Sequence, residues 1–171
     1  MRQGVLKLAA IVIGLNLIFL YIGLEFLPQS ESRPPKVIKI EEGILTEDLV
    51  RVGEEIVFGK GQCMVCHPAK AESGMRAPAM ATIGADMEKE AKTRGITAEE
   101  QVFEALVNPS KYVVKGFEDI MSPVHTPPTS MTDGEIIAVT AYLQSNGGKV
   151  TVSYPGSVPI LKDQITRAGR K

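Results

Sequence analysis

Five consecutive residues, Cys63-Met64-Val65-Cys66-His67, hold both cysteines of the 171-residue chain and one of its two histidines. As a disulfide the pair would close only a trivial loop, so a structural staple has little to gain there. Other chemistries use the same spacing. A thioredoxin-like redox pair needs a strand-helix-strand setting, and a zinc site needs two further ligands, for which only His125 remains. Thioether attachment of a haem needs what is present: two thiols to add across the vinyl groups and an adjacent imidazole to take the proximal position on iron. The spacing points to one covalently attached haem c, held by Cys63, Cys66 and His67.

A second axial ligand must come from elsewhere in the chain. Met75, Met80, Met87, Met121, Met131 and His125 are the candidates, and an open sixth position is the remaining option. Methionine is ordinarily core filler. Met87 and Met131 fall at a helical stripe and a helix entry, where leucine would serve as well. Met121 differs, because Ile120-Met121-Ser122-Pro123 lies in the non-helical stretch Gly116 to Pro128, and a loop can hold a thioether against iron with little competition from helix packing. Met121 is the favoured distal ligand, with His125 next.

The elements around these residues read as helices. Thr46 is placed to cap a helix whose apolar residues Leu49, Val50, Gly53, Ile56 and Val57 recur at helical spacing until Gly59. A short helix over Gly84 to Arg94, with Ile83, Met87 and Ala91 on one side, ends at Gly95. Thr97 and Glu100 form a capping-box pair for a helix through Val102, Phe103, Leu106 and Val107, which Asn108-Pro109 breaks. Thr132 and Glu135 repeat that spacing ahead of Ile136, Val139, Tyr142 and Leu143, and Gly147-Gly148 closes the run. Apart from a weak Val150-Val152-Tyr154 alternation, no stretch has a period of two, so the fold class is all-α.

The N-terminus has a different character. Leu8 to Leu24 is 17 residues without a formal charge, and Val5 to Leu27 extends the run to 23 if Lys7 and Glu25 lie at its ends. At 1.5 Å per residue this reaches ~34 Å, enough to span a bilayer's hydrocarbon core. The run is longer than the apolar part of a secretory signal, and Leu24-Glu25-Phe26-Leu27-Pro28 offers no small-residue cleavage site, so an uncleaved anchor is expected. Arg2 and Lys7 ahead of it put the N-terminus in the cytoplasm and the rest outside, on the periplasmic or extracellular side of the cell's inner membrane. Ala10 and Gly14, with Asn16 on roughly the opposite side, offer faces for packing against another membrane helix.

Divided this way, residues 1–27 are the cytoplasmic start and anchor, 28–43 a linker rich in proline and serine, 44–147 a haem domain and 148–171 a tail. From Gln29 to Gly147 there are 12 basic and 18 acidic residues, a net of −6, whereas Gly148 to Lys171 carries a net of +4. The nearly balanced total gives no sign of a nucleic-acid binder. Tyr154-Pro155-Gly156 and Val158-Pro159 read as helix breakers, so the tail is expected to be extended, and its charge favours an acidic partner surface.

These features resemble the class I c-type cytochromes, from about Thr46 to Gln144. Val52-Gly53-Glu54-Glu55-Ile56-Val57-Phe58 ahead of the cysteine motif, Glu104 to Phe117 ahead of Met121, and Ala141-Tyr142-Leu143 carry the resemblance. It implies that the Pro78 carbonyl accepts the Nδ1 proton of His67, and that Gly53 and Tyr142 meet where first and last helices cross. The usual Met-Pro pair is replaced by Met121-Ser122-Pro123. The resemblance also implies a membrane-tethered mono-haem carrier of single electrons with His/Met ligation, rather than an enzyme with a small-molecule substrate. Its expected partners are other membrane electron-transfer subunits, redox donor and acceptor proteins, and membrane lipid. A quinol-oxidising or oxidase-linked complex is the expected setting. A free tethered shuttle, a haem peroxidase or gas sensor with an open sixth site, and a mainly structural subunit are the alternatives.

Overall fold

The computed structural model describes residues 2–25 and 40–170. The chain forms two units. One holds helix α1 (Arg2–Glu25), and the other holds everything from Ile40 onward. Most of the expected linker, residues 28–39, lies outside the described residues.

Helix α1 buries no residue, and its window of greatest apolarity is long enough to cross a membrane. Within it the Asn16 amide donates to the Val12 carbonyl at 2.8 Å, which satisfies one of its polar groups inside the helix.

The second unit is built from α2 (Thr46–Phe58), α3 (Ile83–Arg94), α4 (Ala98–Val107), α5 (Asp133–Ser145) and α6 (Val158–Ala168). No strand occurs among the described residues. Helix α2 packs on α5, and Gly53 permits their close approach. A Cβ built there would lie 2.0 Å from the Ala138 carbonyl oxygen and 2.9 Å from the Tyr142 Cβ, so any larger residue forces the helices apart. Leu49, Ile56 and Val57 of α2 meet Ile136, Ala138 and Val139 of α5 in the core. Both expected capping boxes are formed: the Thr97 and Thr132 hydroxyls accept from the backbone N–H of Glu100 and Glu135, whose carboxylates accept in return from the threonine N–H. At α2 the expectation is off by one residue. Thr46 is the first helical residue, and Leu45, exposed and without a side-chain cap, occupies the capping place.

The extended tail is corrected by α6. Pro159 falls in that helix's first turn, where its missing N–H costs no intrahelical bond, so the proline starts a helix rather than barring one. The segment has too few apolar residues for a core of its own, but enough to join its neighbours. Leu161 is fully buried and Gln164 nearly so, with α6 packed on α4 and α5. Val152 is buried ahead of it, while Val150 and Tyr154 pack against the core. Their alternation forms no strand, because a side chain takes the place of a strand partner: Gln144 Oε1 accepts from the Thr151 N–H at 2.9 Å, and its Nε2 donates to Thr151 Oγ1 at 3.0 Å. Ile40 and Ile44 also pack on the core. The folded unit therefore runs beyond the expected haem domain, 44–147, at both ends.

Candidate functional site

Helix α2 stops at Phe58, and the backbone turns sharply towards the cysteine motif. The Gly61 N–H donates to the Ile56 carbonyl at 2.7 Å, and Gln62 adopts a left-handed conformation with φ 53°. Gly61 has no room for a side chain: a Cβ there would lie 2.8 Å from the Ile56 oxygen, 2.9 Å from Met131 Cε and 3.2 Å from Cys63 Sγ. The turn is tied down by Lys60, whose ammonium donates to both Glu135 oxygens at 2.9 and 2.8 Å. Burial pushes the Glu135 carboxyl up, but the bonds from Lys60 and Thr132 outweigh it and hold the group below its ordinary value.

Cys63, Met64 and Val65 then form one 3-10 turn, and the His67 N–H donates to the Cys63 carbonyl at 2.9 Å. The two cysteines form no disulfide with each other. Burial pushes the Cys63 thiol up, the reverse of the lowered pKa that a nucleophilic redox thiol needs. The following loop is closed by two backbone bonds, Met80 N–H to the Pro68 carbonyl at 2.9 Å and Ala81 N–H to the Ala69 carbonyl at 3.1 Å. Closure brings the Pro78 carbonyl oxygen to 2.8 Å from His67 Nδ1. With Nδ1–H donating there, Nε2 is left free to act as a ligand.

Cys63, Cys66, His67 and Pro78 line a cavity of about 360 Å³, and Met121 lines the same cavity. Its walls include Ile83 of α3, Val102 and Leu106 of α4, and Val139 and Leu143 of α5. The remaining candidate ligands are distributed differently. Met75, Met131 and His125 do not line it, and Met131 is buried with its methyl group directed at Gly61. His125 Nδ1 is buried with no hydrogen-bond partner. Met80 and Met87 do line the cavity. The Met80 backbone is bonded to Pro68, immediately after His67, and the Met87 sulfur receives Gln101 Nε2 at 3.8 Å. Met121 reaches the cavity from a separate segment. That segment is anchored by Ser110 Oγ donating to Asp119 Oδ1 at 2.9 Å and by the Val124 N–H donating to the Leu106 carbonyl at 3.0 Å.

This donor set fits a haem, since two unpaired thiols, an imidazole of fixed orientation and a thioether share one cavity whose lining is largely apolar. The comparison with protein families agrees, because the Cytochrome c family model matches residues 53–147, more than half the chain. The chain belongs to the cytochrome c family. No curated protein matches it. As a cytochrome c it is a haem-based electron-transfer protein with covalently bound haem c. The matched region takes in α3, α4 and α5 and stops before α6, so the helix packed on α4 and α5 lies outside it.

Sequence reasoning missed the cluster of Arg94, Gln101, Glu104, Lys111 and Tyr112 beside the cavity. The charged residues of this group are scattered over three elements, and only Glu104 carries a legible signal: it is the one charged residue among Val102, Phe103, Leu106 and Val107.

Proposed function

We propose that this protein is a membrane-anchored, mono-haem electron carrier whose iron is held by His67 and Met121. The observation that carries the reading is the convergence of Cys63, Cys66, His67 and Met121 on one apolar cavity. Bound there, haem c supplies reversible one-electron exchange between ferric and ferrous iron. The residues of the chain do the rest. Cys63 and Cys66 fix the group covalently, and the Pro78 carbonyl holds the His67 ring with Nε2 turned to iron. Met121 would supply the second protein ligand to the iron, which would keep oxygen and peroxide away and raise the potential relative to a second histidine.

Helix α1 is the anchor in this reading, with Arg2 and Lys7 on the cytoplasmic side and the haem domain on the outer face. The setting we propose is a quinol-oxidising or oxidase-linked complex, in which the carrier receives an electron from one subunit and passes it to another. A free tethered shuttle is the second reading. It is favoured by α6, because a tail folded onto its own domain is not an arm reaching for a partner.

The test uses the full chain purified in mild detergent. One haem per chain, a one-electron redox titration and a ferrous form that fails to bind carbon monoxide are expected. Carbon monoxide binding by the unmodified ferrous protein removes the distal-ligand assignment and moves the peroxidase or sensor reading to the front. Co-migration with larger membrane subunits separates the fixed subunit from the shuttle.

A further inference from the structure

Helix α4 carries a carboxylate into the core. Glu104 is 3% exposed, and its two oxygens accept from two cations, Arg94 at the end of α3 and Lys111 in the 3-10 turn Pro109–Lys111. Arg94 also donates to Gln101 Oε1 at 2.6 Å, and its guanidinium lies 4.5 Å from the centroid of the Tyr112 ring. The Tyr112 hydroxyl donates to Glu90. Two of these contacts reach the cavity directly, because Tyr112 and Met87 both line it and Met87 is the partner of Gln101.

A buried carboxylate paired with partly exposed cations is weak as a stabilising device, since well-packed apolar residues in its place are often as good or better. Its electrical effect is harder to replace. Behind a wall of low polarizability a charge acts over longer distances than in water. Ferric iron carries one more positive charge than ferrous iron, so a nearby cation favours the ferrous form and a nearby carboxylate favours the ferric form. Within this cluster the formal charges cancel, Arg94 and Lys111 against Glu104 and Glu90, while the carboxylates that line the cavity itself, Glu118 and Asp119, stand outside it.

We propose that Arg94 is a positioning residue for the redox centre, which fixes the Tyr112 wall and offsets Glu104 so that the buried carboxylate does not depress the potential. Glu104 in turn holds Arg94 against Tyr112. The inference rests on the haem reading above and adds to it a role for residues that do not touch the iron.

The experiment measures reduction potentials of the full chain with its haem attached. Arg94→Gln leaves an excess carboxylate and should shift the reduction equilibrium towards the ferric form by about tenfold, ~59 mV for a one-electron couple. Glu104→Gln leaves an excess cation and should shift it the other way by a similar factor. The double substitution should return near the starting value, as should Arg94→Lys, which keeps the charge. Lys111 is half-exposed, so Lys111→Gln is tolerated structurally and should shift in the same direction as Arg94→Gln even if that variant fails to accumulate. A loosened pocket alone would move Arg94→Gln and Glu104→Gln in the same direction. That outcome, or no shift in Glu104→Gln and Lys111→Gln, overturns the proposal while leaving the haem reading intact. A wild-type chain without covalent haem overturns the haem reading itself.

Discussion

His67 and Met121 reach one cavity through frames of different kinds. The His67 frame is local: the turn at Gly61, the 3-10 turn Cys63–Val65 and the loop returning to Pro78 are closed by bonds among residues 56 to 81. The Met121 frame is borrowed, with Asp119 held by Ser110, Val124 held by Leu106 of α4, and the Met131 N–H donating to the Val124 carbonyl at 2.9 Å. A locally closed frame keeps its geometry when distant helices shift, whereas a borrowed frame keeps it only while those helices are in place. Disturbance from outside the site should therefore register on the Met121 side first.

The largest effect expected is on attachment. Cys63→Ala/Cys66→Ala should leave no covalent haem, because no other cysteine exists in the chain. Haem staining of a denaturing gel reads this directly, and a stained band from the double variant would end the thioether assignment. Next in size is Met121→Ala, which should keep the covalent haem and the His67 ligand while opening the sixth position. The weak red absorption of ferric iron bound to sulfur should vanish, and the reduction equilibrium should move towards the ferric form by at least about tenfold, ~59 mV. Should the band persist, Met80 or Met87 is the ligand, and the contrast between the two frames loses its basis.

The same contrast explains what could be read from the sequence. The cysteine motif is a local object, so residue types at fixed spacing specify it. The helices around it were also legible, because Thr97 with Glu100 and Thr132 with Glu135 are short-range signals that the capping boxes realise. Pro78 was reached only through family resemblance, since an eleven-residue loop does not by itself say which carbonyl returns to His67. Helix α6 is hard to read because Pro159 looks like a breaker wherever the start of the helix is unknown, and its main partner, α4, lies on the far side of α5 in sequence. The Arg94 cluster was invisible for the same reason: pairing among α3, α4 and the turn after it is fixed by tertiary packing, which no local pattern announces.

The smallest effect expected tests a tie that runs from the His67 frame to a helix distant in sequence. Lys60 stands three residues before Cys63, and its bond to Glu135 joins this turn to the start of α5. The Glu135 carboxyl, buried but accepting from Lys60 and Thr132, is held below its ordinary value. A carboxyl whose pKa is lower folded than unfolded stabilises the fold fully above the unfolded value, about 4.3 for glutamate, and that contribution is lost as pH falls through the folded value. Glu135→Gln keeps the shape and removes the charge, so at neutral pH it should destabilise the domain by about 2 kcal/mol, the scale of a hydrogen bond to a charged group. Glu104, also held below its ordinary value against its burial by Lys111 and Arg94, remains in both proteins and cancels from the comparison. Denaturant unfolding of the two proteins from neutral pH down to about pH 3 should therefore show a gap that stays constant until about pH 4.3 and then narrows. A gap that stays unchanged throughout would mean that Glu135 acts through packing alone and that Lys60 does not secure the approach to Cys63 by charge.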